Sequence, residues 1–77
     1  MDTQTRWKIA KIFRTIINSR GSSSFGNTAK KKLAEAVLIL QDAGYAKKAK
    51  QLQDKIDGLS PIMVTEEKIE DLQRWLL

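Results

Sequence analysis

The stretch "AVLILQDAGYAKKAKQL", residues 36–52, decides the fold because it holds the end of one helix, a turn and the start of another. Gly44 is expected to take the left-handed position that follows a helix, with Leu40 and Tyr45 making the apolar contact of a Schellman ending. So short a connection predicts two antiparallel helices. The centre of the chain is therefore expected to be a helical hairpin around Gly44.

The helix before this turn is apolar nearly all round, since Leu38 and Ile39 fall away from its main apolar face. Such a helix is expected to be central and to be contacted from several directions. Asn27 or Thr28 is the expected N-cap, because either side chain accepts hydrogen bonds from free backbone N–H groups. The main face consists of Leu33, Ala36, Val37, Leu40 and Ala43.

The first helix is predicted within "TRWKIAKIFRTIINSR", residues 5–20, where apolar side chains recur at i, i+3, i+4, i+7 and i+8. Asp2 or Thr3 is expected to cap this helix, and Gly21 to end it. Its apolar face consists of Ile9, Ile12, Phe13, Ile16 and Ile17.

The helix after the central turn has a narrow apolar stripe of Ala49, Leu52 and Ile56. It is expected to end at Gly58, and Pro61 prevents its simple continuation. A last helix is expected to start at Thr65, because Val64 and Ile69 are spaced to form a hydrophobic staple. The chain has no strand-like alternation. The pattern predicts an all-α fold, a compact bundle of about four short helices in one domain, residues 1–77.

Composition limits the chemistry of this chain. It contains neither cysteine nor histidine, so it lacks thiolate ligands, disulfides, and the commonest general base and metal ligand. No nucleophile or oxyanion donor stands at a recognisable spacing, and we expect neither an enzyme nor a cofactor. Glu67, Glu70 and Asp71 share one helical side. A hard-cation site or a catalytic pair is one interpretation of this cluster, and a solvated acidic face is the preferred one.

The net charge of +5 is unevenly distributed. Residues 1–55 hold twelve Lys/Arg against four Asp/Glu, a charge of +8, whereas residues 56–77 hold two against five, a charge of −3. The basic part is expected to attract polyanions, and the acidic end is expected to attract basic surfaces, including that of another copy of the chain. No apolar run is long enough to span a membrane. A basic transit peptide in residues 3–34 is a minor alternative to the cytoplasmic location that we expect.

"GSSSFGNT", residues 21–28, nearly matches the phosphate-binding loop GxxxxGK[ST], but Asn27 stands where the lysine is required. The loop also follows a helix rather than a strand, so we interpret it as a linker. A DNA-binding helix-turn-helix centred on Gly44 is rejected as well. Lys50 and Gln53 stand where its second helix needs buried apolar residues.

Two lysine clusters open predicted helices, where added positive charge is unfavourable to the helix dipole. One hypothesis is an anion site formed with the Ser22–Ser24 hydroxyls; the other, slightly preferred, is a solvated surface. As a pair, the clusters raise the possibility of nucleic-acid binding, although the starts of antiparallel helices lie at opposite ends. The clusters are Lys30, Lys31 and Lys32, and Lys47, Lys48 and Lys50.

Trp7 falls away from the isoleucine face of the first helix and is grouped with Lys11 and Arg14. Interleaved aromatic and basic side chains suit a protein hot spot or base stacking. The alternative, slightly preferred, is that Trp7 packs against the last helix, near Trp75, or between two copies. The terminal "RWLL", residues 74–77, is expected to be covered within the monomer or across a two-fold axis.

These observations predict a small non-enzymatic helical binding protein, a regulator, inhibitor or adaptor. It is expected to dock on a protein partner, for which an acidic surface is one option, or on itself as a homodimer, through Trp7, Lys11 and Arg14. The alternative is a nucleic-acid-binding accessory protein that uses both lysine clusters. Neither a membrane nor a small-molecule substrate is expected as a partner.

Overall fold

A computed structural model describes all residues, 1–77, and contains no strand. The second helix is central, since the first and third both pack on it, and the fourth packs on the first. The predicted all-α bundle is therefore confirmed. Its elements are α1 (Thr3–Asn18), α2 (Phe25–Asp42), α3 (Ala46–Asp57), a 3₁₀ turn (Pro61–Met63) and α4 (Glu66–Leu76).

Sixteen buried apolar residues form one core cluster to which all four helices contribute. The stripes predicted from helical spacing supply most of this core. Its largest fully buried side chains are Phe13, Ile9, Ile16, Leu33, Leu40, Leu52 and Ile69.

The central turn has the predicted Schellman geometry. The Tyr45 N–H donates to the Leu40 carbonyl at 2.8 Å, and the Gly44 N–H donates to the Gln41 carbonyl at 3.0 Å. Gly44 has φ +90°, a conformation that strains any residue with a side chain. Both hydrogen bonds satisfy carbonyl groups that the end of α2 leaves free.

The start of α2 differs from the prediction. Ser24 is the N-cap residue, and the Thr28 N–H donates to the Ser24 carbonyl at 2.9 Å. Asn27 and Thr28 therefore lie within the first turn, and their assignment as N-caps is wrong. The half-buried Phe25 packs on the core, and this tertiary contact extends the helix back beyond the polar residues.

The connection from α3 to α4 lies against the beginning of α2. Gly26 meets the backbone of Pro61 so closely that a Cβ atom at this position would overlap the Pro61 carbonyl. One turn further along, the Lys30 ammonium group donates to the Leu59 carbonyl at 2.6 Å. Residues far apart in sequence thus fix this end of the bundle.

The predicted contacts of α2 from several directions are confirmed, but Leu38 is 60% exposed. α1 and α3 cover the flanks of α2, while α4 packs on α1 and leaves this side open. Ile39 is half-buried against the core.

α4 begins as predicted, with the Thr65 side chain accepting from the Lys68 N–H at 3.2 Å. Val64 and Ile69, the proposed staple pair, are both buried. At the other end Leu76 is buried and Leu77 packs against the core, so the monomer itself covers the C-terminal apolar residues. No helix in the fold combines the length and apolarity that crossing a bilayer requires.

Candidate binding surface on the first helix

The side of α1 that points away from the core carries one aromatic and four basic side chains, which we call the α1 outer face. Trp7 lies at its centre and is 62% exposed. The buried residues of α1, among them Ile9 and Ile16, occupy the opposite side of the helix. The α1 outer face consists of Arg6, Trp7, Lys8, Lys11 and Arg14, all exposed.

Within this face, the Lys11 ammonium group lies over the Trp7 ring, 4.7 Å from its centroid. The two residues are one helical turn apart, so the contact is local to α1. The prediction that Trp7 packs against the last helix near Trp75 is wrong, because Trp7 is 62% exposed and the lysines at the Trp75 ring come from α3. Packing of Trp7 between two copies stays a prediction. The placement of Trp7 beside Lys11 and Arg14 on the helix exterior is as the helical wheel indicated.

No carboxylate forms an ion pair with the α1 outer face. The helix contains no Asp or Glu, and none of the four ion pairs of the structure includes a residue of this face. Four positive charges without a carboxylate within 4.0 Å create a local positive potential. The ion pairs are Arg20–Glu66, Lys32–Glu35, Lys50–Asp54 and Arg74–Asp71.

Asp2 holds the beginning of α1 in place. Its carboxylate accepts from the Thr5 N–H at 3.0 Å and from the Tyr45 hydroxyl at 2.9 Å. Hydrogen bonds from Thr5, first from its side chain and then from its backbone, and from Tyr45 lower the pKa of Asp2 from 3.8 to about 2. The first turn of α1 is thereby tied to the central turn, which fixes the direction in which the α1 outer face points.

The first lysine cluster is largely engaged within the chain. Lys30 donates to Leu59, and Lys32 pairs with Glu35 at 3.2 Å, which leaves Lys31 exposed and without an ion pair. Because α2 starts at Phe25, these lysines lie in its second turn, so the expected conflict with the helix dipole is weaker than predicted.

The serine hydroxyls of the predicted anion site are also engaged with each other. Ser22 and Ser24 share a hydrogen bond of 3.0 Å between their side chains, and the Ser24 N–H donates to the Ser22 hydroxyl at 3.2 Å. The Lys30 ammonium group donates to the Leu59 carbonyl instead of to an anion beside these serines.

The second cluster lies at the start of α3, on the far side of the hairpin. At 1.5 Å rise per residue, the ten residues of α2 between Lys32 and Asp42 place about 15 Å of helix between the two clusters. Lys50 pairs with Asp54 at 3.8 Å, and Lys48 lies 4.4 Å from the centroid of the Trp75 ring. Lys47 is exposed. The two clusters therefore do not form a single basic patch.

Glu67, Glu70 and Asp71 are exposed on α4, and Asp71 forms an ion pair with Arg74. No three carboxylates anywhere in the structure lie close enough together to hold a metal ion.

Two features were not predicted. Ile62 and Met63, in the 3₁₀ turn, are 90% and 55% exposed. The signal in the sequence is the apolar run Ile62, Met63 and Val64 after Pro61. Of these three side chains, only Val64 is buried. The other feature is a groove between α3 and α4 around Trp75, which depends on tertiary packing.

Comparisons of this chain with protein-family models, with curated proteins and with solved structures find no match.

Proposed function

We propose that this chain is a small non-enzymatic binding protein that docks the α1 outer face on an acidic surface of a protein partner. The observation that carries the proposal is the exposed Trp7, surrounded by Arg6, Lys8, Lys11 and Arg14, none of which has a carboxylate partner. A regulator, inhibitor or adaptor acts through a surface of this kind.

Tryptophan and arginine are the residues that most often dominate the energy of protein interfaces. Burying the exposed part of an indole removes enough apolar surface to contribute about 3 kcal/mol to association. The surrounding positive charges steer an acidic partner toward the face and raise the association rate. Trp7 supplies the affinity in this proposal, and the cations supply orientation and specificity.

The nucleic-acid alternative depends on both lysine clusters acting together. Their separation along α2, and the engagement of Lys30, Lys32 and Lys50 within the chain, argue against that surface. A protein partner is therefore preferred.

The test uses a Trp75→Phe variant, in which Trp7 is the only indole, titrated with poly-L-glutamate at about 50 mM salt, where screening is weak. We expect a saturable change in Trp7 emission that weakens as salt is added. The double variant K11Q/R14Q should bind at least about tenfold more weakly, as expected for two lost charge contacts at an interface.

The matched control, K31Q/K47Q, removes the same charge from exposed lysines elsewhere and should bind like the parent. Equal weakening by the control would show that net charge alone drives binding and would overturn the proposal. Tighter binding to a DNA oligonucleotide than to poly-L-glutamate, lost in K31Q/K47Q, would favour the nucleic-acid alternative instead.

A further inference from the structure

A groove of about 360 Å³ lies between α3 and α4, and shares no residue with the α1 outer face. Its apolar surface comes from Leu59, Leu72 and Trp75, while charged side chains of both helices stand around it. We call this feature the α3–α4 groove; its charged residues are Asp54, Lys55, Lys68 and Asp71.

The charges around the groove are not balanced. Asp54 already pairs with Lys50 at 3.8 Å, and Asp71 pairs with Arg74. By contrast, neither Lys55 nor Lys68 belongs to an ion pair. With these two partners included, four cations face two carboxylates at the groove, which gives this region an excess of positive charge.

Two lysine side chains also lie close to the Trp75 ring. The ammonium groups of Lys48 and Lys55 lie 4.4 Å and 4.7 Å from the centroid of its ring. The ring attracts each cation, but the two like charges repel each other. An anion bound beside the ring relieves that repulsion, so the electrostatics of the groove favour a negatively charged ligand.

We propose that the α3–α4 groove binds a small amphipathic carboxylate. The apolar body of the ligand packs on Leu59, Leu72 and the Trp75 ring, and its carboxylate accepts hydrogen bonds from Lys55 and Lys68. An apolar surface with a few convergent charged groups is the usual composition of a small-ligand site. This ligand is additional to the protein partner of the α1 outer face, and either site can exist without the other.

The test uses a Trp7→Phe variant, in which Trp75 is the only indole, titrated with decanoate. Decanol and decylamine, which carry a similar chain with a neutral or a positive head, are the comparison ligands. We expect a saturable change in Trp75 emission with decanoate, and affinity at least about fivefold lower for the other two. K55Q/K68Q should weaken decanoate binding by about fivefold to tenfold, the size expected for two exposed charge contacts.

Lys55 and Lys68 are exposed, so their substitution should leave the fold intact, and far-UV circular dichroism verifies this. K31Q/K47Q, which removes two lysines that do not line the groove, should bind decanoate like the parent. Equal affinity for all three amphiphiles, unchanged affinity in K55Q/K68Q, or a non-saturable response would overturn the proposal. Failure of poly-L-glutamate to bind Trp7 would leave it unaffected.

Discussion

Both tryptophans of this chain contact lysine side chains, but Trp7 is exposed and Trp75 packs against the core. One lysine ammonium group lies over the Trp7 ring, at 4.7 Å from its centroid, and two lie over the Trp75 ring, at 4.4 Å and 4.7 Å. The lysine of Trp7 belongs to the same helix, whereas both lysines of Trp75 come from α3. Trp7 is 62% exposed, and Trp75 packs against the core.

Trp7 is therefore a surface residue, whereas Trp75 contributes to the packing of the fold. A contact within one helical turn adds little to the free energy of folding, so the Trp7 ring is free to be buried by a partner. Trp75 joins two helices that are apart in sequence, and its ring also forms part of the α3–α4 groove. We therefore expect changes near Trp75 to affect stability, and changes near Trp7 to affect binding.

The largest effect is expected from Gly26→Ala, which acts on the Trp75 side of the molecule. The new Cβ atom would overlap the backbone of Pro61, so the connection carrying Leu59 must move away from α2. We expect a loss of about 2–3 kcal/mol in the free energy of unfolding, measured with urea. In single-tryptophan backgrounds, Trp75 emission should change and Trp7 emission should not.

Gly58→Ala is the matched control. A Cβ atom there would meet only ordinary van der Waals contacts at 3.7 Å, and the glycine does not have a left-handed φ. Its effect on stability should stay below about 0.5 kcal/mol. A Gly26→Ala variant as stable as this control would contradict the close packing of Pro61 on α2.

Replacing each tryptophan by alanine tests directly whether the two side chains differ in their contribution to stability. Trp75→Ala removes a half-buried ring that packs on the core, and should reduce the free energy of unfolding by about 2 kcal/mol. Trp7→Ala removes an exposed ring and should cost less than about 0.5 kcal/mol. Chemical denaturation of both variants measures the difference. Equal losses would place Trp7 in a packed environment.

A smaller effect is expected at Lys30. Lys30→Met keeps the length of the side chain but leaves the Leu59 carbonyl without its donor, which should cost about 1 kcal/mol. Lys31→Met, at the adjacent exposed lysine without an ion pair, should have almost no effect on the same denaturation curve. If Lys31 proved the more sensitive, Lys30 would not be the residue that secures the connection.

The smallest effect concerns pH and the anchoring of α1. Because folding lowers the pKa of Asp2 from 3.8 to about 2, its contribution is complete above about pH 4 and is lost between about pH 4 and 2. The Tm advantage of the parent over Asp2→Asn should shrink as pH falls through that range. An advantage that does not depend on pH would show that the Asp2 charge is not involved.

The parts of this fold that sequence could predict depend on local chemistry. Gly44 is required for a left-handed turn, Thr65 is a strong N-cap, and the apolar stripes recur at helical spacing. Each of these signals lies within a few residues of the structure that it determines.

The features of the fold that the sequence did not predict depend on contacts between residues that are far apart in the chain. α2 begins at Phe25 because that ring packs on the core, and Gly26 faces Pro61 from a connection far along the chain. The hydrogen bond from Lys30 to the Leu59 carbonyl joins residues that are far apart in sequence, so the sequence alone gives no sign of it. The helical wheel placed Trp7 opposite the core of α1, but only tertiary packing shows that α4 leaves it uncovered.

Acrylamide quenching of the two single-tryptophan variants tests most directly whether Trp7 is a free surface. We predict that Trp7, in the Trp75→Phe variant, is quenched almost as strongly as free N-acetyltryptophanamide at every protein concentration, and that Trp75 is clearly protected. Strong protection of Trp7 would contradict this account. If that protection increased with protein concentration, a second copy would be covering the α1 outer face.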